Sequence, residues 1–325
     1  MNQGLLSELR VLEKYYKRTK DTHREQAYQR TAAVVKKWPH EITTDDLPEL
    51  KKRKGIGKAS LTKIKQFIDS GSIPKATELK AEMTAKGHKN TEFDVKDQLM
   101  DVWGVGSAKA NSLWDAGIRS ITDLRKDPSL LNRSQKIGLK YFDDLNKRVP
   151  KKYIRILSLA MQYTLAQQYG VDSFKFVVGG SYRRGDPTSG DMDCVLFSTV
   201  FTPADAIATL KEAGFITDTL SFKDTKFMGI AHCLQPGAQS IRLDIAFPTV
   251  DEEGRDNFGA MILYFTGSKG LNTEMRLKAK ESGMLLNEYG LWKGSTMKAG
   301  NRIDAYTEEE IFKALGYEYI EPSLR

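Results

Sequence analysis

Two aspartates spaced two residues apart, Asp191 and Asp193, are the residues whose types and spacing most directly indicate chemistry in this sequence. They begin an apolar segment typical of a β-strand, so both side chains point to the same face of that strand. Adjacent carboxylates repel each other, and folding alone does not favour the arrangement, whereas a pair of divalent cations does. The sequence therefore predicts a metal site at these two positions.

A glycine-rich turn, Gly179-Gly180-Ser181, precedes the two aspartates and follows another apolar segment. Glycines leave backbone N–H groups open to a phosphate, and Ser181 and Arg184 supply further donors. The turn and the carboxylates together predict a site for Mg²⁺ and a triphosphate. Arg183 lies in the same loop without a role that we can derive, and we expect it to be a solvated cation.

A third carboxylate, Asp244, lies inside the apolar segment 241–247, where a charge needs a partner. We expect no ion pair with Arg242, because residues two apart on an extended strand share a face but are separated along it. Strand pairing that brings Asp244 beside Asp191 and Asp193 explains the charge better. Asp244 is therefore a candidate third metal ligand.

Two glycine hairpins of the same design occur in the first half of the chain, one with Gly55 and Gly57 and one with Gly104 and Gly106. Each predicts a turn between two helices whose backbone N–H groups, at a positive helix end, suit one DNA phosphate. Such contacts position a duplex without reading its sequence. An ordinary helical bend would explain one such turn, but two copies in a basic chain favour DNA binding.

The composition agrees with a nucleic-acid partner. The 325 residues include 40% hydrophobic and 28% charged residues, and the net charge of +8 favours a polyanion such as nucleic acid or an anionic membrane surface. No apolar run is long enough to span a membrane, and no signal peptide is evident. Cys194 and Cys233 are expected to be reduced thiols of the core. We therefore expect a soluble, intracellular protein.

Hydrophobic periodicity predicts an α+β multidomain fold. Residues 1–85 and 91–150 are expected to be helical, with a polar linker at 84–90, and one more helix runs over 151–168. Strand patterns follow near 171–176, 195–197 and 240–247. The plan is a helical N-terminal half followed by an α+β C-terminal half.

Four motifs of the chain are similar to those of a known protein family. Residues 180–185, 189–193, 242–244 and 264–268 resemble the motifs of the family X DNA polymerases, most closely the beta-type members, and the likeness covers nearly the whole chain. It implies a hand-like polymerase whose palm has a nucleotidyltransferase-type mixed sheet. The implied domains are a helical lyase-like DNA-binding domain at 1–85, a helical DNA-binding subdomain at 91–150, the catalytic palm at 151–255 and a subdomain binding the nascent base pair at 256–325.

The resemblance implies a repair-type DNA polymerase that adds dNMP from dNTP to a primer 3′-hydroxyl in short gaps by a two-metal mechanism. Asp191, Asp193 and Asp244 would bind two Mg²⁺ ions, with Mn²⁺ as an alternative, and a monovalent cation is allowed at the hairpin turns. The implied nucleotide-binding residues are Arg148, Gly180, Ser181, Arg184, Gly190, Tyr264, Phe265, Gly267, Lys269 and Asn272. The implied DNA-binding residues are Gly55, Gly57, Gly104, Gly106, Arg242 and Arg276.

Residues 264–267 resemble the family's turn that packs the incoming sugar and leaves no room for a 2′-hydroxyl. Two positions nearby depart from or vary within the family pattern. Ala246 replaces an arginine that is said to exchange partners between an active-site aspartate and a glutamate. Glu288, at the glutamate position, is still present, but the arginine that would exchange partners is absent. The resemblance implies that Lys269 would face the incoming base, at a position that varies within the family.

The resemblance also implies a 5′-deoxyribose-phosphate lyase site in the N-terminal helices. Lys63 would be the nucleophile that forms a Schiff base, and it must be neutral to do so. Neighbouring cations disfavour a further positive charge and would also bind the 5′-phosphate. The implied substrate residues are His23, Arg24, Tyr28 and Lys75. Ala59 occupies a position where the family has lysine.

Two other functions stay open. The Gly-Ser and Asp-x-Asp elements also allow a template-independent terminal or RNA nucleotidyltransferase, although the two hairpins and the sugar-packing turn favour duplex DNA. A non-catalytic DNA-binding scaffold is the other alternative, and the three aspartates argue against it.

For a repair polymerase we expect a monomer that binds gapped or nicked duplex DNA and a dNTP, without a membrane. It would act in the nucleus of a eukaryote, or otherwise in the cytoplasm or a virion. Since the first helix begins near Met1, no additional N-terminal partner-binding domain is expected.

Overall fold

A computed structural model describes residues 2–19, 21–36, 38, 40–53, 55–85, 92–232, 238–298 and 300–325. The chain divides into two compact units, Met1–Asp97 and Gln98–Arg325. Most of the expected linker, residues 86–90, lies outside the described residues, and so does the expected core thiol Cys233. Cys194 is buried as a free thiol.

The first unit is built from helices. They are α1 (Gln3–Arg18), α2 (Thr22–Lys36), α3 (Leu47–Lys52), α4 (Lys58–Ser70) and α5 (Pro74–Ala85), with a 3₁₀ turn at Thr44–Asp46. Their apolar faces meet in one core, in which Leu9, Leu12 and Ile64 are fully buried. Helix α6 (Glu92–Met100) contains the boundary between the two units.

The second unit begins with helices that carry the second glycine hairpin. They are α7 (Ser107–Asp115), α8 (Ile121–Lys126), α9 (Arg133–Lys140) and α10 (Phe142–Leu145), with a 3₁₀ turn at Pro128–Leu130. The remaining helices are α11 (Lys151–Tyr169), α12 (Gly180–Arg183), α13 (Pro203–Glu212), α14 (Phe258–Thr266), α15 (Lys269–Glu281) and α16 (Glu308–Ala314), with a 3₁₀ turn at Pro322–Leu324.

The same unit contains a mixed five-stranded sheet and two short antiparallel pairs. Its strands are β1 (Val149–Pro150), β2 (Phe174–Val178), β3 (Thr188–Ser189), β4 (Asp191–Ser198), β5 (Ile216–Lys223), β6 (Lys226–His232), β7 (Ser240–Ala246), β8 (Met284–Asn287) and β9 (Gly290–Lys293). The large sheet has the order β2-β4-β7-β6-β5, in which only β4 and β7 run parallel. Strand β1 pairs with β3, and β8 with β9.

The two faces of the large sheet are covered differently. On one face Met192, Cys194 and Leu196 are buried in the core that α11 and α13 complete. On the other face Val195 and Ala246 are buried in a small cluster with α14 residues. Side chains alternate along a strand, so Asp191 and Asp193 share this second face with Val195. Helix α14 covers one end of the face, and the carboxylates lie beyond it.

The expected fold class is confirmed: a helical N-terminal region precedes a mixed sheet. Helix α13 begins with a capping box formed by Thr202 and Asp205, and α16 with one formed by Thr307 and Glu310. The hairpin β5–β6 was not predicted, because two register irregularities in β5 interrupt its alternation. Among the helices that the structure describes, none is long and apolar enough to cross a lipid bilayer.

Candidate active site

Parallel pairing of β4 with β7 brings the predicted carboxylates together. The register places Asp193 directly beside Asp244 and Asp191 beside Arg242. Asp244 is only 5% exposed, whereas Asp191 and Asp193 are partly exposed. Three carboxylates and one guanidinium therefore share the open end of one sheet face.

Arg242 lies between two of the carboxylates. Its Nη2 atom hydrogen-bonds Asp191, and its Nε atom lies 3.4 Å from Oδ1 of Asp244. Neither Nε nor this Oδ1 has a hydrogen-bond partner, although both are buried. The expectation that Asp244 makes no ion pair with Arg242 is wrong, because the arginine side chain is long enough to fold back along the strand. Lys226 is a second cation, with Nζ 3.8 Å from Asp244.

Burial, together with repulsion from Asp191 and Asp244, raises the pKa of Asp193 from its ordinary 3.8 to about 7. Burial also raises the pKa of Asp244, although Arg242 and Lys226 oppose the rise. Desolvation thus outweighs the ion pairs of Asp244. The site has more negative charge than the cations of the chain offset.

This donor set fits a hard divalent cation. All its donors are carboxylate oxygens, which such ions prefer, and Oδ1 of Asp244 is a buried acceptor without a hydrogen bond. As the described residues stand, no three His, Cys, Asp or Glu side chains are close enough to share a metal ion. The guanidinium of Arg242 occupies part of the space between Asp191 and Asp244.

The turn at Gly179 and Gly180 packs closely against this site. A Cβ atom on Gly180, whose φ is +56°, would lie 2.6 Å from Oδ2 of Asp193. A Cβ atom on Gly179 would lie 3.1 Å from the carbonyl oxygen of Phe265. Only glycine fits at Gly180, because both the backbone conformation and the neighbouring carboxylate exclude a side chain.

The expected triphosphate donors lie around the turn, and the protein's own acceptors occupy most of them. Ser181 donates to Ser189 over 2.8 Å, and Arg148 donates from Nε to Thr188 over 2.7 Å. Pairing of β1 with β3 brings Arg148 into the strand connection that leads through Gly190 to Asp191. Arg184 donates from Nη1 to the carbonyl of Thr266 over 2.7 Å, at the end of α14.

The expected sugar-packing turn has different bounds in the structure. Residues 264–266 form the last turn of α14, and the chain turns only at Gly267, where φ is +70°. Tyr264 is 40% exposed, and its carbonyl accepts a hydrogen bond from Asn272 over 2.8 Å. The guanidinium of Arg276 lies 5.0 Å from the centre of the Tyr264 ring. Lys269 is the exposed first residue of α15.

Ala246 occupies the position at which the resemblance predicts an arginine partner for Glu288, and Glu288 pairs with another arginine. Ala246 is buried beneath α14, and Arg276 donates to Glu288 over 3.2 Å. Glu288 therefore pairs with a residue of the predicted DNA-binding set.

Arg183 is not the solvated cation that we expected. It donates to Thr266 over 2.7 Å and to Glu308 over 2.5 Å. Glu308 is buried and also accepts from Arg325 over 2.5 Å. The sequence offered no signal for this network, because Glu308 is 125 residues from Arg183 along the chain. It joins the glycine turn to α14 and α16.

The first unit brings two of the predicted lyase residues around an aromatic side chain that sequence reasoning missed. Tyr28 is buried and stacks on Tyr16, with ring centres 5.6 Å apart, and Arg24 lies 5.2 Å over the Tyr16 ring. Burial raises the pKa of Tyr28. His23 precedes them on α2.

The two predicted lyase lysines lie on other helices. Lys63, on α4, donates to Gln66 over 3.1 Å, and Lys75, on α5, to Glu78 over 2.8 Å. A hydrogen bond of 2.6 Å between Thr31 and Ser60 ties α2 to α4.

The two glycine hairpins have the same backbone design. Gly55 and Gly104 have φ values of +103° and +83°, and Gly57 and Gly106 are the N-caps of α4 and α7. A Cβ atom on Gly57 or Gly106 would meet nothing within 4 Å. Each turn therefore leaves the first N–H groups of a helix open to an anion.

Four family models together match almost the whole chain. They are described as a helix-hairpin-helix domain, matching residues 1–73, the fingers domain of DNA polymerase lambda, 97–146, the DNA polymerase beta palm, 148–249, and the DNA polymerase beta thumb, 261–325.

Curated relatives extend the similarity over the full chain. DNA polymerase lambda of Arabidopsis thaliana is 30% identical and that of Rattus norvegicus 28%, each over 100% of this chain and over 62% and 56% of their own lengths. The DNA-directed DNA/RNA polymerase mu of Homo sapiens is 23% identical over 91% of this chain and 63% of its own length. The chain thus spans roughly three fifths of these relatives.

The raised pKa of Asp193 predicts a pH-dependent effect of its removal. The folded state binds more protons than the unfolded chain between the two pKa values, so it loses stability as pH rises from about 4 to about 7. Asp193→Asn should stabilise the metal-free protein by about 2–4 kcal/mol near pH 8 and by less near pH 5, since one pKa unit is about 1.4 kcal/mol. Urea unfolding in a chelator measures this, with Asp172→Asn as the exposed control. An equal difference at both pH values would contradict the account.

Proposed function

The chain belongs to the family X DNA polymerases, and we propose that it fills short DNA gaps by adding dNMP from dNTP to a primer 3′-hydroxyl. The observation that carries this proposal is the pair of the partly exposed Asp193 and the buried Asp244, set side by side by strand register next to a glycine turn. An excess of carboxylate charge beside donors for phosphate is what a metal-bound triphosphate requires.

Asp191, Asp193 and Asp244 would hold two Mg²⁺ ions. When bound, the ions would make the primer 3′-hydroxyl more acidic and neutralise charge on the leaving pyrophosphate. Asp244, the most buried of the three, is the candidate acceptor of the hydroxyl proton. The guanidinium of Arg242 has to withdraw from these carboxylates for a metal to bind, and a primer phosphate offers it another partner.

The glycine turn and its cations would bind the triphosphate. Ser181, Arg148 and Arg184 would exchange their present protein acceptors for phosphate oxygens, and the open backbone around Gly180 and Gly190 would accept the chain of phosphates. Arg183 stays with Glu308 and Thr266, and so acts as a positioning residue for the turn.

The end of α14 and the start of α15 would hold the incoming nucleotide. Tyr264, Phe265 and Gly267 would pack its sugar, and Lys269 and Asn272 would lie near its base. Arg276 would reach the template strand after leaving Glu288. The turns at Gly55–Gly57 and Gly104–Gly106 would each bind a backbone phosphate of gapped or nicked duplex DNA.

The N-terminal unit would add 5′-deoxyribose-phosphate lyase activity, and both activities together serve base excision repair. A cationic and aromatic group that suits a sugar phosphate is formed by Arg24, Tyr28 and Tyr16, the last of which was not predicted from the sequence. Lys63 would be the Schiff-base nucleophile, with His23 and Lys75 near the 5′-phosphate. The protein would work as a monomer, in the nucleus if its source is eukaryotic.

Nucleotide insertion tests the polymerase proposal. We expect the wild type with Mg²⁺ to insert the template-directed deoxynucleotide into a one-nucleotide gap bearing a 5′-phosphate, and to insert the ribonucleotide more slowly. Asp244→Ala should lose insertion by about 10³-fold or more, because it removes charge stabilisation at the reacting centre. The exposed Asp172→Ala is the control. Untemplated extension of single strands, or full activity of Asp244→Ala, would reject the proposal.

Adduct trapping tests the lyase proposal separately. Borohydride should trap the wild type covalently on an incised abasic site, because it reduces the Schiff base of a lysine. Lys63→Ala should lose the adduct, while Lys65→Ala, an exposed lysine of the same helix, should keep it. Undiminished trapping and β-elimination by Lys63→Ala would refute the nucleophile assignment.

A further inference from the structure

One face of helix α9 carries three exposed cations, which we name the α9 basic face: Arg133, Lys136 and Lys140. Residues at this spacing lie on the same side of an α-helix. At a rise of 1.5 Å per residue they cover about 10 Å along the axis. Together with Ile137 and Asp218 of β5 they line a shallow cleft of about 430 Å³.

The α9 basic face has more positive charge than its surroundings neutralise. Asp218 is its acidic neighbour, and that carboxylate already accepts from Lys140 over 2.8 Å and from the Tyr141 hydroxyl over 2.7 Å. In the part of the chain that the structure describes, Arg133 and Lys136 have no carboxylate within 4 Å. Two cations on this face are therefore available to an anionic partner.

Helix α9 is fixed to the second glycine hairpin. The side chain of Gln135 is buried and donates to the carbonyl of Gly104 over 2.8 Å. A Cβ atom on Gly138 would lie 2.6 Å from the carbonyl oxygen of Trp103, so helix and hairpin backbone are in direct contact. The side of α9 opposite the basic face is thus packed against the hairpin, which fixes the position of the basic face relative to the proposed phosphate-binding turn.

A further side of α9, next to the basic face, is anchored to the sheet. Ser134 donates to the carbonyl of Leu220 over 3.1 Å, and Ile137 packs with Leu220 and Ile230. A phosphate bound on the α9 basic face would therefore have a fixed position relative to one bound at Gly104–Gly106.

We propose that the α9 basic face binds backbone phosphates of the same DNA that the Gly104–Gly106 turn contacts. The inference rests on the proposed DNA-binding function and extends its footprint beyond the two hairpins. The rigid connection to that turn favours nucleic acid over an acidic protein segment. The face offers charge without apolar or aromatic side chains free to stack on bases, so it positions DNA and does not read sequence.

The salt dependence of DNA binding tests this proposal. The double variant Arg133→Gln, Lys136→Gln removes the two available cations and leaves the contact of Lys140 with Asp218. Fluorescence anisotropy with gapped duplex DNA at several salt concentrations gives the slope of log K against log salt. We expect a slope shallower by about 1–2 and several-fold weaker binding, because each lost phosphate contact lowers the slope by about 0.9.

A matched control removes the same charge elsewhere in the same unit. Lys211→Gln, Lys313→Gln changes two exposed lysines in the last turns of α13 and α16, and it should keep the wild-type slope. Exchange of the cations in Arg133→Lys, Lys136→Arg should also keep it, which separates lost charge from misfolding.

Three outcomes would overturn the inference. A wild-type slope in the glutamine variant would remove the α9 basic face from the DNA footprint. If the glutamine variant keeps the wild-type slope but loses the binding of a polyglutamate peptide that the wild type shows, the face would be assigned to an acidic protein. A wild type that binds no gapped DNA would reject the proposed function as well.

Discussion

The parallel pairing of β4 with β7 is the constraint on which the site depends. It places Asp193 beside Asp244 where burial and mutual repulsion make the charged forms costly. The positive charges of Arg242 and Lys226 partly offset this cost, yet the pKa of Asp193 stays near 7. Such an arrangement destabilises the protein unless an external cation completes it.

The elements around this pair keep it in place and leave Asp193 partly exposed. Helix α14 covers Val195 and Ala246 and ends before the aspartates. Gly180 allows the turn to approach Asp193 to a distance at which any Cβ atom would clash. Arg183, through Glu308 and Thr266, ties that turn to α14 and α16, so a change in these helices can alter the position of the turn that we propose to bind phosphate.

Local patterns in the sequence predicted what depends on near neighbours. The alternation at Asp191 and Asp193 and the two glycine hairpins each have a cause within a few residues. The fold class was predictable for the same reason. The strand at 240–247 followed from its apolar pattern, its pairing beside Asp191 and Asp193 was inferred from the cost of a charge at Asp244, and the register came from the structure.

The contacts that could not be predicted from the sequence depend on partners distant in the chain or on the length of a side chain. Arg242 reaches back along its strand to Asp244, which backbone spacing alone did not suggest. Arg183 meets Glu308 from the far end of the chain, and Tyr16 stacks on Tyr28 from another helix. Local register shifts interrupt the alternation of side chains along β5, so the pattern of a strand is not evident there.

Proton release on metal binding is the measurement that tests the central claim most directly. Titration calorimetry of Mn²⁺ into the protein near pH 6, in two buffers of different ionisation enthalpy, counts the protons that leave per bound ion. We predict close to one proton for the wild type, since Asp193 must ionise to bind the metal, and fewer protons per bound ion for Asp193→Asn. Binding by the wild type without proton release would contradict it.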